Sequence, residues 1–578
     1  MERGHDESSS SLNRGNFIEL VKVFAKMNVE IGEVVLDKAP QNATYTSPNV
    51  QKEILHIMAN RVRQMIRDEL GENCFCILVD EAQDESKREQ MAIILRFVNN
   101  DGVIIERFFA IKSVSDTTSS NLKNEICDVL VRHDLQVKKI RGQGYDGASN
   151  MRGTWNGLQA LFLKECPYAY YIHCFAHRLQ LTLVSAAKDV ICIWKFFSHL
   201  DNIVNIITSS PKRINALQTA QRREFEDMLA SGERQSRSGI NQIGNLQKSG
   251  STRWSSHYES VKSLIDMYAA TCKVLEYLIV HSPNGRSRAE VHGVYETIKS
   301  FEFVFSLHLM HKILGFSDIL CQALQKKSQD IPTAIRFVST TKGLLQEFRQ
   351  DGWEEFLNAV KIFCLRNDVD IPDLNSFYKI GHPREEVTLE HHYHFNVFNE
   401  AIDFQLMELN TRFNELSVEL LSLTVALDPQ NSFESFNGDD ICKLAKKFYP
   451  CDFSQQELHS LRFELKHYEY DVIRDPRFQV SSLSELCKLL VASRRSENCI
   501  VLTKLIPLVL TLPVSTTTTE RAFSAMKHVK TAIRNRMEDE FLADCVMLYI
   551  EREFAKKIDI DSIIDEFYVV KARRTQLQ

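Results

Sequence analysis

Cys74–Asp80 reads CFCILVD, a continuous apolar run that ends in a carboxylate. A short run of this kind fits a strand buried on both faces. A second run, Met91–Asn99, follows it, and an Asn-Asp-Gly turn at Asn100–Gly102 leads into a third, Val103–Ile111. Asp-Gly between two apolar runs is the strongest short-range hairpin signal, so three antiparallel strands are expected. A helix at about Thr118–His133, a short strand at Val137–Ile140, a helix at about Gly153–Glu165 and a strand at Tyr170–Cys174 come next. The order β-β-β-α-β-α-β predicts a mixed five-stranded sheet with helices on both faces.

Outward from this sheet the period changes. Residues 16–70 read as two helices around a break at Pro40–Pro48, the second with Ile54, Ile57, Met58, Val62, Met65 and Ile66 at helical spacing. From Phe175 onward no strand pattern is evident for over three hundred residues. Ala230–Ser251, rich in Gly, Ser and Arg, reads as a mobile loop among helices. The last helices are expected at about Val501–Leu512, Thr518–Met537 and Asp539–Phe554. The fold class is α/β plus mostly α: a small α/β core, a large all-helical insertion and a helical return. The expected divisions are a helical segment at 1–70, the first part of the core at 71–210, the insertion at 211–499, the core return at 500–555 and a tail at 556–578.

The 578 residues carry 70 Lys and Arg against 76 Asp and Glu, a net charge of −6. That excludes a polybasic protein whose nucleic-acid binding is legible from bulk charge. Fourteen cysteines are dispersed without a CxxC pair, which excludes a zinc ribbon or a thioredoxin-like site and predicts buried thiols in a reducing compartment. Met1–Asn13 has no apolar core, so no signal peptide is expected. The longest apolar stretch, Cys499–Val514, contains Lys504 and is shorter than the roughly 20 residues a membrane span needs. A soluble intracellular protein is expected, with no membrane partner.

Several residues are candidates for chemistry. Asp80 ends the first strand, where α/β folds place ligands and metals; a helix cap or loop acid reads the same way, and Glu81, Asp84 and Glu85 read as surface acids. Gly142–Asn150 (GQGYDGASN) follows the fourth strand and would set Asp146 beside Asp80. It lacks the spacing of a phosphate loop. A glycine turn with Asn150 as a cap is one reading, and a pair of carboxylates for Mg²⁺ is the other. His173-Cys-Phe-Ala-His177 has no second ligand pair to complete a zinc site, so it is expected to order the end of the fifth strand. In Ser251–Tyr258 (STRWSSHY), Trp254 beside Arg253 could stack on an unpaired base or pack the insertion against the core. Thr517-x-x-Glu520 fits a capping box, a complete structural explanation of Glu520. Lys527, Lys530, Arg534 and Arg536 make that helix basic, a solvated face or a nucleic-acid face.

Taken together, GHDESSSSLNRGNF, FCILVDEAQD, IRGQGYDGASNMRG, YIHCFAHRLQL, STRWSSHY and LPVSTTTTERAFSAMKHVKTAIRNRM resemble the hAT superfamily of DNA transposases. The similar branch is that of the zinc-finger MYM-type and TTF-type zinc-finger proteins, and the likeness runs from about Gly4 to Arg552. It implies an RNase H-like core interrupted by the helical insertion. By similarity Asp80, Asp146 (in Asp-Gly-Ala) and Glu520 (in Glu-Arg-x-Phe-Ser) are catalytic and bind two divalent ions, Mg²⁺ or Mn²⁺, for phosphodiester hydrolysis and strand transfer. Trp254, with Arg253, matches the tryptophan that stacks on a flipped base, and Cys174 and His177 match the family's Cys-x-x-His near the active site. The implied partners are DNA at transposon ends and the protein itself, as a homodimer or higher oligomer through about 504–551, and the implied location is the nucleus. The N-terminal zinc finger of the family is not expected here, so DNA affinity would rest on local patches such as Arg222, Arg223, Arg234, Arg237, Lys248 and Arg253. The alternative is a transposon-derived dimerisation protein without catalysis.

Overall fold

The computed structural model describes residues 14–40, 44–230, 244–248, 250, 255–282, 284–378, 387–414 and 418–570. Two compact units divide the chain: Met1–Tyr171 with Thr516–Gln578, and Ile172–Ser515. The sequence reading placed its insertion at 211–499.

In the first unit, β1 (Phe75–Gln83), β2 (Glu89–Val98), β3 (Ile104–Val114), β4 (Ile140–Tyr145) and β5 (Tyr170–His173) form one sheet in the order β3-β2-β1-β4-β5. β1 pairs antiparallel with β2 and parallel with β4, so the sheet is mixed. Its core residues, such as Ile77, Leu78, Val79, Ile93 and Ile94, are fully buried. The hairpin turn works as its residues dictate. Asn99 Oδ1 accepts the amides of Asp101 and Val103, and Gly102 takes a φ of 74°. The helix Pro48–Leu70 packs Val62 and Ile66 into the core. Ser47 caps it through the Val50 amide, and Gly71 ends it at a φ of 57°.

One strand differs from expectation. Val137–Lys139 is a 3₁₀ turn, and β4 runs through Ile140–Tyr145, the glycine-rich stretch read as a turn. All six residues of β4 are buried. Gly142 and Gly144 therefore sit inside the sheet, where tertiary pairing with β1 overrides their poor strand propensity.

The C-terminal return is locked to this sheet by buried charge. The helix Thr517–Val529 contributes Ala522, Phe523 and Met526 to the core. Thr518 donates to Glu106, which also pairs with Arg96 at 2.7 Å, both side chains almost fully buried. Glu551 accepts the Phe108 amide at 2.8 Å and pairs with Arg107. Lys530 meets Asp84 at 2.6 Å with both side chains wholly buried. Asp84 is thus no surface acid, and Lys530 belongs to neither a solvated nor a nucleic-acid face. Burial pushes the Asp84 carboxyl up, but the Lys530 ammonium and the Arg88 and Ser86 amides outweigh it and hold it below the usual range. The expected helix to Met537 ends at Val529, and Ala532–Arg534 is a 3₁₀ turn.

From Phe175 on, the described residues of the second unit form helices and one short hairpin, Phe377–Tyr378 with Val387–Thr388, in a region where no strand was expected. Its helix Phe301–Leu324 is long and apolar enough to cross a membrane, yet two-thirds of its apolar window is buried by neighbouring helices. It is built as a core helix. The loop expected at 230–251 lies mostly outside the described residues. All 14 cysteines are free thiols.

Candidate functional site

β1 and β4 run parallel with Cys76 opposite Gly142, Ile77 opposite Gln143 and Leu78 opposite Gly144. Each pair is offset by 66 positions, the same offset that separates Asp80 from Asp146. The two acids therefore emerge from adjacent strands at one register level. Since side chains alternate along a strand, Asp80 shares the sheet face of Leu78, and Asp146 stands one residue past the end of β4.

The third acid arrives from the far end of the chain. Thr519 donates to Asp80 Oδ2 at 3.2 Å, which sets the start of the Thr517–Val529 helix against Asp80; contrary to expectation Asp80 does not end its strand, because pairing with β2 carries β1 on to Gln83. Glu520 follows at once. The capping-box expectation fails here: the helix is capped at Thr516, and no side-chain capping bond forms. Glu520 still lies in the first turn of the helix, where the dipole favours an acid.

The electrostatics record the convergence. Burial first, then the Asp146 carboxylate, pushes the Asp80 carboxyl up to about 7, with Glu520 adding a further push. The Glu81 amide, 2.9 Å from Asp80 Oδ1, and the Thr519 hydroxyl offset this only in part. Glu81 is also pushed up to about 7, by burial and then by Asp146 and Glu89. Its Oε1 is buried without a hydrogen-bond partner. Asp146 is held by its own loop: Oδ1 accepts the Ala148 amide at 3.1 Å, and its carbonyl accepts the Tyr171 hydroxyl at 2.9 Å.

Among the described residues, no Lys, Arg or His forms an ion pair with Asp80, Glu81 or Asp146. Four residues further along the same segment, Asp84 does have its lysine. Carboxylate oxygens with negative charge in excess of local cations are a donor set suited to Mg²⁺ or Mn²⁺. The residues present fit such an ion in chemistry and charge. Among the described residues, however, no three His, Cys, Asp or Glu side chains stand at ligand spacing around one point. The acids share a field without forming a finished cage.

A test of that field follows. A carboxyl raised to about 7 holds a proton in the native state that the unfolded chain has released above about pH 4. Stability is then lost as pH rises from about 4 to 7. In metal-free protein Asp80→Asn is expected to stabilise the first unit by about 4 kcal/mol at pH 8 and by roughly half of that or less at pH 5. Thermal melts in EDTA at both pH values check this, and a variant less stable than wild type at pH 8 contradicts it.

Cys174 and His177 lie in the second unit, at and just inside the start of the helix Phe175–Asp189. Cys174 is buried, and the His173 and His177 rings are 6.5 Å apart. Arg253 and Trp254 lie outside the described residues, as do Arg234 and Arg237, while Arg222, Arg223 and Lys248 are exposed. Sequence reasoning passed over Glu81 and Thr519. An acidic dipeptide at a strand end and a Thr immediately before the third acid were the available signals.

Comparison with known proteins agrees with this architecture. Residues 2–157 match the family described as ZMYM1/FAM200, RNase-like domain. Residues 464–554 match the hAT family C-terminal dimerisation region. A mouse protein named 52 kDa repressor of the inhibitor of the protein kinase is 20% identical over 567 residues, covering 95% of this chain and 72% of the relative. Its human namesake is 19% identical, with 95% and 71% covered. The dimerisation region supports self-association. With an RNase-like domain at one end, an hAT dimerisation region at the other and relatives matched along nearly its whole length, the chain is an hAT-related, transposase-derived protein.

Proposed function

We propose that this chain is a DNA-processing core in which Asp80, Asp146 and Glu520 hold divalent ions for phosphodiester cleavage and strand transfer. The observation that carries the reading is the Thr519–Asp80 hydrogen bond, which brings the helix bearing Glu520 to Asp80 although Glu520 stands 374 residues further along the chain than Asp146; the Asp80 carboxyl is raised first by burial, then by Asp146 and by Glu520. Divalent ions bound there would supply Lewis-acid polarisation of the phosphate and an activated oxygen nucleophile. The protein's share is positioning. Asp80 is oriented by the Thr519 hydroxyl and the Glu81 amide, Asp146 by the Ala148 amide, and Glu520 by a helix anchored at both ends. DNA is the proposed substrate, with Trp254, Arg253, Cys174 and His177 as further contacts, and the nucleus is the proposed location.

A second reading has its own support. The acids lack ligand spacing among the described residues, and the relatives carry the name of a repressor. On that reading the chain is a dimerising interaction protein that keeps the fold without turnover. Incubation of the purified chain with a hairpin-forming DNA end in Mg²⁺ or Mn²⁺ separates the two. Metal-dependent nicking supports the first, and its absence at every metal concentration leaves only the second.

A further inference from the structure

The helix Thr517–Val529 has two unlike faces. Thr518, Thr519, Ala522, Phe523, Ala525, Met526 and Val529 are buried. Arg521, Ser524, Lys527 and His528 are all exposed, at a spacing that puts them on one outward stripe. The basic residue read with them, Lys530, is turned inward and neutralised by Asp84. What remains outside is Arg521, Lys527 and His528, with the half-buried Glu520 on the same side of the helix and Ser524 between them, its hydroxyl donating to the Glu520 carbonyl at 3.1 Å.

Helix stability explains only part of this stripe. Lys527 and His528 lie in the last turn, where a cation complements the helix dipole. Arg521, in the second turn, is exposed and lies beyond the reach of the dipole at the helix start.

The stripe is also tied to the acids. Thr519 touches Asp80 at one end of the helix, and Lys530, just past the other end, touches Asp84. The eleven residues from Thr519 to Lys530 rise about 16 Å. The four from Asp80 to Asp84 extend about 13 Å. The helix therefore runs alongside the outer end of β1, and its basic stripe leads away from Glu520. From Arg521 to Lys527 the rise is about 9 Å, close to the axial length of three nucleotides at about 3.4 Å each.

We infer that the outward face of Thr517–Val529 is a backbone track for the nucleic-acid strand whose phosphodiester enters the acid site, with phosphates against Arg521, Lys527 and His528. The inference deepens the function proposed above and rests on it for the identity of the partner. Contacts of this type set the position of a strand without reading its sequence, as suits a chain of net charge −6 that must concentrate its cations locally.

The test is fluorescence anisotropy of a labelled single-stranded oligonucleotide with the full chain in EDTA, over a salt series. Without metal no cleavage occurs, so a failure of the nicking experiment leaves this one intact. Arg521→Gln with Lys527→Gln is expected to weaken binding about tenfold and to reduce the slope of log K against log salt by about 1.5, at roughly 0.7–0.9 per phosphate contact. Lys26→Gln, on the exposed face of the helix Asn16–Met27, serves as the control and is expected to change neither. Arg521→Lys with Lys527→Arg keeps the charge and is expected to keep the slope, which separates lost contacts from a damaged fold. Wild-type affinity and slope in the double glutamine variant would overturn the proposal. So would displacement of the oligonucleotide by polyglutamate at lower concentration than by unlabelled DNA, which would assign the face to an acidic protein.

Discussion

Replacing Asp146 by asparagine is expected to lower metal-dependent nicking at least about 10³-fold while leaving the thermal transition within a few degrees of wild type. The size follows from the chemistry. A metal ligand supports several kcal/mol of charge stabilisation in the transition state, and each 1.36 kcal/mol is a decade in rate. The selectivity follows from the structure. Among the described residues, the Asp146 side chain bonds to its own turn through the Ala148 amide and its backbone carbonyl accepts from Tyr171, and asparagine preserves both contacts. A variant that nicks at the wild-type rate would remove Asp146 from the chemistry.

Lys530→Met is expected to destabilise the first unit by about 3–5 kcal/mol, the usual cost of leaving one member of a buried ion pair without its partner. Asp84 would remain inside with the Ser86 and Arg88 amides, the Gln90 side chain and a distant Arg88 guanidinium at 3.9 Å. The double change Asp84→Asn with Lys530→Met removes the orphaned charge and is expected to recover most of the loss. Urea or thermal denaturation of the three proteins measures this. Equal stability of the single and double variants would show that the pair is not the lock described here. The lock also bears on function, because the helix that carries Glu520 is pinned at one end by Thr519 and at the other by Lys530.

The two kinds of information in the sequence were legible to different degrees. β1 to β3 were readable because three apolar runs and an Asp-Gly turn leave one local solution. β4 was misplaced by several residues because Gly142 and Gly144 advertise a turn. Only pairing with a strand 66 residues earlier makes them sheet. The Thr517-x-x-Glu520 pattern advertised a capping box, yet the helix begins on Thr516 and its threonines turn inward to Asp80 and Glu106. The Asp84–Lys530 pair spans 446 positions, and no local pattern announces such a partner. The helical character of the second unit was legible from periodicity, but the hairpin Phe377–Tyr378 with Val387–Thr388 was too short to leave a repeat. Of the site itself, Asp80 and Asp146 stood out in sequence. Glu81 did not, because its buried, unpartnered oxygen is a property of the packing around it.

The central claim is that carboxylates from β1, β4 and the C-terminal helix make one divalent-cation site. Isothermal titration of metal-free protein with Mn²⁺ addresses it without requiring turnover or DNA. The account predicts saturable binding to the wild-type chain that is lost in Asp80→Asn and in Asp146→Asn and weakened in Glu520→Gln, with the Lys26→Gln control unchanged. Binding of Mn²⁺ to all three acid variants with wild-type affinity and stoichiometry would contradict it.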